Sequence, residues 1–128
     1  MAVGEECILQ LPATPTAAGM ARSFVRRCWS HVDDAAIMDA VALCVSEMVT
    51  NALDHAVPPY ELRLGQSATR LRVEVADASE DGPVVRQPTP RALRGRGMFL
   101  VDCTATAWGV VADGGGKTVW AEFATNSK

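Results

Sequence analysis

A long apolar segment between residues 33 and 56 constrains the fold more than any other part of the chain. Asp33 and Asp34 place side-chain acceptors and negative charge where a helix N-terminus favours them. Pro58 and Pro59 end the helix after about residue 56. The intervening apolar residues recur with helical spacing, namely Ile37, Val41, Cys44, Val45, Met48, Ala52 and Leu53. The segment therefore predicts one long helix with a buried side.

The same helix carries a polar stripe. Glu47, Asn51 and His55 are spaced i, i+4 and i+8, which places them on one face of a helix, one turn apart. A carboxylate, an amide and an imidazole aligned in this way can hold a metal-bound anion and polarise a hydroxyl. The pattern alone leaves open an alternative in which Asn51 hydrogen-bonds inside the core and Glu47 is merely exposed.

The remaining segments predict an α+β fold with helices on one face of a mixed, mostly antiparallel sheet. A short strand, Glu6 to Leu11, precedes a first helix that reaches about His31. Thr14-Pro15 predicts its start, with Thr14 as the N-cap and proline at the first helical position. Alternating apolar residues predict four more strands in two hairpins, at residues 60–64, 71–76, 105–112 and 118–124. Residues 98–103 predict the start of a further helix.

Composition narrows the class of protein. A chain of 128 residues without repeats or linkers predicts a single domain over residues 1–128. The net charge of -3 gives no indication of nucleic-acid binding. We expect no membrane segment and no signal peptide, which makes the cytoplasm the expected location. The four cysteines form no C-x-x-C pair, which favours small hydrophobic roles over a disulfide or zinc site.

Three arginines of the first helix, Arg22, Arg26 and Arg27, lie mainly opposite its apolar side. They form either an ordinary solvated face or a contact surface for an acidic partner protein.

Three further motifs are candidates for ligand contacts. Asp77 ends a strand, where its carboxylate either accepts a hydrogen bond from the exocyclic amine of adenine or closes an Asx turn. The segment Arg94-Gly95-Arg96-Gly97 precedes a helix start, so its backbone N–H groups can approach a phosphate. Thr118 opens the last strand, where its hydroxyl could share a water molecule with Asp77.

The order and spacing of these motifs resemble the GHKL (Bergerat-fold) ATP-binding superfamily. Within it, the sequence Ser46-Glu47-x-x-Thr50-Asn51-Ala52-x-x-His55-Ala56 resembles the anti-sigma-factor serine kinases of the RsbW and SpoIIAB type. The resemblance covers nearly the whole chain. The first glycine box departs from the usual D-x-G-x-G, because Ser79 replaces the first glycine and Gly82 lies one place late.

The resemblance implies a role for each motif. Glu47 corresponds to the general base that activates a target serine, and Asn51 to the residue that holds Mg²⁺ against the triphosphate. Asp77 corresponds to the adenine-reading aspartate and Thr118 to the threonine of the adenine pocket. The glycine box that wraps the phosphates corresponds to Gly95, Arg96, Gly97 and Met98. His55 would be structural or would support the ligand-contacting residues.

The resulting functional expectation is a protein serine kinase that uses Mg-ATP and also acts as an anti-sigma factor. Its partners would be a sigma factor and a small STAS-type anti-anti-sigma protein, with no direct contact to nucleic acid or membrane, and it could form a homodimer. Two alternatives remain open. One is a nucleotide-gated module that sequesters a partner without phosphorylating it, and the other is an adaptor that binds no nucleotide.

Overall fold

The computed structural model describes residues 6–79, 85–86, 101, 104–112 and 114–125, and these include two bounded helices and six strands. Val101 and Thr104 are also helical, while the rest of the helix start predicted at residues 98–103 lies outside the described residues. Helix α1 spans Ala17–Cys28 and helix α2 spans Ala35–His55. The strands are β1 (Cys7–Leu11), β2 (Tyr60–Gln66), β3 (Arg70–Asp77), β4 (Val85–Arg86), β5 (Ala107–Ala112) and β6 (Lys117–Ala124).

The described strands form one sheet in the order β1-β2-β3-β6-β5-β4, and every neighbouring pair is antiparallel. Helix α2 packs on the central strands β3 and β6, while α1 packs on α2 and on β1. The apolar core lies between this helical layer and the sheet. The predicted α+β class, with helices on one face of a mostly antiparallel sheet, is confirmed.

The limits of α2 follow from its flanking residues. Asp34 is the N-cap, and its Oδ1 accepts a hydrogen bond from the Ile37 backbone N–H at 3.1 Å. At the other end, the Ala56 N–H donates to the Ala52 carbonyl at 2.8 Å before the chain reaches Pro58. The buried side of α2 consists of Met38, Val41, Ala42, Cys44, Val45, Met48, Val49 and Ala52.

Helix α2 bears on the expectation that the chain has no membrane segment. Over Ala35–His55 it is long and apolar enough to meet the length and composition of a membrane span. The fold gives this apolarity another use, because the buried side of the helix packs on β3 and β6. Core helices of soluble proteins meet the same criterion.

Helix α1 begins later and ends earlier than its sequence suggests. Its N-cap is Thr16, whose side chain makes no capping hydrogen bond; the Thr16 hydroxyl instead pairs with that of Thr14 at 2.8 Å. The prediction that Thr14 caps the helix is therefore wrong, since helical structure starts at Ala17 and ends at Cys28. Arg22 ties α1 to α2, because its guanidinium donates to the Ser46 hydroxyl at 2.6 Å.

The face of the sheet that points away from the helices carries charge. Arg63 contacts Glu74 at 3.0 Å, and Arg72 links Glu74 at 2.8 Å with Glu122 at 2.7 Å. The Arg72 guanidinium also lies 4.5 Å from the centre of the Trp120 ring. Strand residues alternate between faces, so the even-numbered residues of β3 and β6 share this charged face. The odd-numbered ones face the helices.

Candidate functional site

A cavity of about 350 Å³ lies between α2 and the adjoining strands β3 and β6. Its volume falls within the range of small-molecule sites, roughly 300 to 1,000 Å³. One wall comes from α2 and the other from the two central strands of the sheet. The lining residues are Met48, Asn51, Ala52, His55, Ala56, Val75, Asp77, Lys117 and Val119.

The Asp77 carboxylate is the most enclosed charged group of this cavity, with only 2% of its side chain exposed. Its Oδ1 accepts the Ser79 backbone N–H at 2.8 Å, and its Oδ2 accepts the Lys117 ammonium at 3.1 Å. The first contact is the Asx turn that was one of the two interpretations of this residue. The second places an ion pair at the cavity wall. Asp77 therefore closes the strand and also presents an anionic acceptor to the cavity.

Ser79 fixes the position of Asp77 by joining two segments that are far apart in sequence. Its hydroxyl accepts the Val57 backbone N–H at 3.1 Å, and the adjacent Ala78 N–H donates to the Val57 carbonyl at 2.9 Å. Ser79 itself is 4% exposed. The serine that replaces the first glycine of the family pattern is therefore a structural residue, which holds the end of β3 against the segment after α2.

Gly116 allows the two strands to approach closely beside Asp77. A Cβ at this position would overlap the Asp77 carbonyl oxygen, and it would lie 3.2 Å from the carbonyl carbon and 3.3 Å from the Ala78 Cα. All of these atoms are backbone and cannot swing aside. Residue 116 must therefore be glycine for β6 to begin where it does, directly opposite Asp77.

The strand register separates Thr118 from the cavity. Lys117 pairs with Asp77, and Thr118 pairs with Ala76. Because adjacent strand residues point to opposite faces, Thr118 shares the outer face with Trp120 and does not line the cavity. Lys117 is therefore the β6 residue that lies beside Asp77 at the cavity, and the role of Thr118 in the adenine pocket stays a prediction. Phe123 is a buried residue of β6, and counting back from it by twos along the strand would have placed Lys117 on the face that lines the cavity.

The polar stripe of α2 is placed as its spacing predicts, on the side of the helix that faces the site. Asn51 and His55 line the cavity, and Glu47 lies one turn further towards the helix N-terminus, outside the lining residues. Within the described residues, neither the Asn51 amide nor the Glu47 carboxylate makes a side-chain hydrogen bond or ion pair to the protein. Both groups are half-buried, and this leaves them available to a ligand.

The Glu47 charge affects one neighbour on α2. Burial raises the pKa of the Cys44 thiol to about 11, a side-chain hydrogen bond with Thr104 opposes this shift, and the nearby Glu47 charge adds to it. Cys44 is fully buried, so this thiol is a core group and not a nucleophile.

The predicted phosphate-binding segment, with Gly95, Arg96, Gly97 and Met98, lies outside the described residues, as does Gly82. The arginines of α1 are described. Arg22, Arg26 and Arg27 line an open groove of about 810 Å³ along that helix, which is separate from the cavity at Asp77.

Comparison with known proteins identifies the class of domain to which this fold and cavity belong. Residues 11–123 match the family described as the histidine kinase-like ATPase domain. This match spans most of the chain, which therefore belongs to that family. Membership implies ATP binding, and the family relationship predicted from the sequence is confirmed.

One solved structure gives a more particular likeness. The crystal structure of the RsbU and RsbW domains of Rv1364c from Mycobacterium tuberculosis superposes with a TM-score of 0.70 at 16% sequence identity. The alignment covers 94% of this chain and 32% of that chain, so the present sequence spans about a third of the matched chain. At this identity the likeness establishes the fold. No curated protein sequence gives a significant match.

Proposed function

We propose that this chain is a regulatory protein serine kinase of the anti-sigma type that uses Mg-ATP. The observation that supports it best is the arrangement of Asn51 and Asp77 on opposite walls of one cavity, with Glu47 one helical turn beyond Asn51. We further propose that residues 1–128 form a single domain and that it acts in the cytoplasm.

The base of the nucleotide belongs at the Asp77 end of the cavity. The hydrogen bonds between Val57 and the Ala78-Ser79 segment place Asp77 beside the C-terminal end of α2. Its carboxylate accepts hydrogen bonds only, so it favours a base with an exocyclic amine, such as adenine. Val75 and Val119 are paired across β3 and β6 and supply an apolar surface next to it.

The phosphates then extend along α2 towards Glu47. The helix rises about 1.5 Å per residue, so His55 and Glu47 lie roughly 12 Å apart along its axis. Asn51 lies between them and offers an amide oxygen, a ligand type suited to Mg²⁺. The described residues hold no group of three His, Cys, Asp or Glu side chains suited to a metal. A magnesium ion held by Asn51 would take further oxygen ligands from the phosphates, as is usual for this metal.

Glu47 is the proposed general base. It accepts the proton of a partner's serine hydroxyl while that oxygen attacks the terminal phosphorus, and ADP leaves. Because Glu47 lies outside the cavity lining, it is positioned to meet a group that comes from a second protein. We assign that group to a STAS-type anti-anti-sigma protein, and the sequestered partner to a sigma factor. The arginine groove of α1 is a suitable surface for an acidic partner.

A second candidate is a nucleotide-gated module that binds its partner without phosphorylating it. Ser79 favours this alternative, because its hydroxyl accepts the Val57 backbone N–H and so fixes a position that is glycine in the family pattern. Both candidate functions require ATP binding, and they differ only in whether phosphate is transferred to the partner.

The test has two parts. Calorimetric titration of ATP with Mg²⁺, and then with EDTA, should show magnesium-dependent binding. Transfer of labelled phosphate to a STAS-type partner should then be lost in Glu47→Ala, while this variant binds ATP as the parent does. Transfer by Glu47→Ala at the parent rate would refute the base assignment. ATP binding without transfer by the parent would favour the sequestering module, and no binding would remove both candidates.

A further inference from the structure

We propose that Lys117 is a second base-reading residue, which donates a hydrogen bond to a purine ring nitrogen beside the amine that Asp77 accepts. This inference rests on the proposed function, since it concerns how the same cavity recognises ATP. It starts from the ion pair between Lys117 Nζ and Asp77 Oδ2 at 3.1 Å. That contact occupies the acceptor that the base is expected to use.

The ion pair is built into the sheet. Lys117 and Asp77 are directly paired residues of β6 and β3, so their side chains leave the sheet on the same face and next to each other. The Asp77 side chain is 2% exposed and that of Lys117 is 24% exposed. A neutral amine cannot replace a cation at so enclosed a carboxylate without leaving the negative charge poorly compensated. Lys117 therefore stays beside Asp77 when a base enters.

Both groups still have capacity for a ligand. A carboxylate has about four lone-pair positions, and Asp77 uses two of them for Ser79 and Lys117. An ammonium has three donors, and of these only the one to Asp77 has a partner within the described residues. The remaining donors of Lys117 lie at the cavity wall, since this residue is part of its lining.

A ligand that satisfies both groups must carry a donor next to an acceptor. Adenine meets this requirement, because its 6-amino group is flanked by the ring nitrogens N1 and N7. The amine donates to Asp77, and one of the ring nitrogens accepts from Lys117. A charged donor makes this the stronger kind of hydrogen bond, so the contact should contribute measurably to affinity. Lys117 would then select bases by a second atom and would not merely neutralise Asp77.

The experiment measures coupling between Lys117 and each ring nitrogen. ATP, 1-deaza-ATP and 7-deaza-ATP are titrated with Mg²⁺ into the full chain and into Lys117→Met, which keeps the length of the apolar stem. We expect the parent to bind one of the two deaza analogues roughly tenfold or more weaker than ATP. For Lys117→Met, the dissociation constant of the same analogue should lie within about threefold of that of ATP. Lys117→Arg keeps the charge and the hydrogen-bond donors, so it should also bind that analogue more weakly than ATP, as the parent does.

The two analogues identify the nitrogen, and the controls identify the cause. Arg70→Met removes an exposed charge at the other end of β3, on the face away from the cavity, and should leave all three affinities unchanged. The inference is overturned if the parent shows no penalty with either analogue, a result that does not depend on any variant folding. It is also overturned if Lys117→Met keeps the full penalty while its thermal melting shows that it is folded. Absence of ATP binding by the parent refutes the proposed function itself. If the parent binds ATP but the substitution at Lys117 does not change the effect of removing a ring nitrogen, only the role of Lys117 is refuted.

Discussion

Substitution of Gly116 by alanine tests the close approach of β3 and β6 beside the candidate site. The added methyl group would overlap the Asp77 carbonyl oxygen and lie 3.2 Å from its carbon. Because the obstructing atoms are backbone, the strands must separate locally for the methyl group to fit. Insertion of a methyl group into packed surroundings of this kind lowers the free energy of unfolding by about 1 to 3 kcal/mol. For a domain of this size, that corresponds to a loss of about 3 to 12 °C in Tm.

Gly115→Ala is the matched control. Gly115 is exposed, has no atom within 4 Å of an added Cβ, and has no positive φ, unlike Gly114 with φ of 85°. Both substitutions reduce the entropy of the unfolded chain to the same extent, so this contribution cancels when the two variants are compared. Apart from the stabilisation that both variants gain through the unfolded state, the free energy of unfolding of Gly115→Ala should remain within about 0.5 kcal/mol of that of the parent.

Thermal unfolding followed by circular dichroism gives the stabilities, and calorimetric titration of Mg-ATP gives the effect on the site. We expect Gly116→Ala to melt below Gly115→Ala and to bind ATP more weakly, because strand separation displaces both Asp77 and Lys117. Equal melting temperatures for the two alanine variants would show that the backbone approach is not required, and the structural role of Gly116 would be refuted.

Three further predictions concern other contacts. Asn51→Ala should weaken binding of Mg-ATP far more than binding of metal-free ATP in calorimetry, and equal losses would show that Asn51 acts through structure and not through the metal. Ser79→Ala should leave the Val57 N–H without its acceptor and cost about 1 to 3 kcal/mol in urea unfolding, and an unchanged midpoint would contradict this hydrogen bond. Hydrogen bonds from Arg63 and Gln10 lower the pKa of Glu61 below its ordinary 4.5, so its stabilising effect is present above pH 4.5 and lost as pH falls through the lower folded pKa. The urea midpoint of the parent should accordingly exceed that of Glu61→Gln at pH 7, and the two midpoints should converge once the pH falls below the lowered pKa of Glu61; a difference that stays constant with pH would contradict the assignment.

The sequence predicted α2 well because its signals are local. The apolar spacing, the Asp34 cap and Pro58 each act on residues that are close to them in sequence. The helix starts and ends where these signals indicate. The start of α1 was harder to place. Thr14 and Thr16 are both possible caps within three residues, and sequence preference alone does not distinguish them.

The sheet side of the site was predicted less well because it depends on register. A shift of one residue exchanges the two faces of a strand, so locating β6 within a few residues could not decide between Lys117 and Thr118. The role of Ser79 was also hidden. Its hydroxyl bonds a backbone group of Val57, which is 22 positions away in sequence. Nothing local to residues 77–79 predicts that contact.

The two walls of the cavity therefore depend on different interactions, and this has a functional consequence. On the α2 side, the positions of Asn51 in the wall and of Glu47 one turn beyond it are set by helical periodicity, and neither side chain makes a hydrogen bond within the described residues. The sheet wall, with Asp77, is held by Ser79, Lys117 and the Gly116 contact. Substitutions of Glu47 and Asn51 should thus change metal binding and phosphate transfer with little loss of stability, because no hydrogen bond or ion pair within the described residues is removed. Substitutions around Asp77 should reduce stability and base recognition together, because the same contacts serve both.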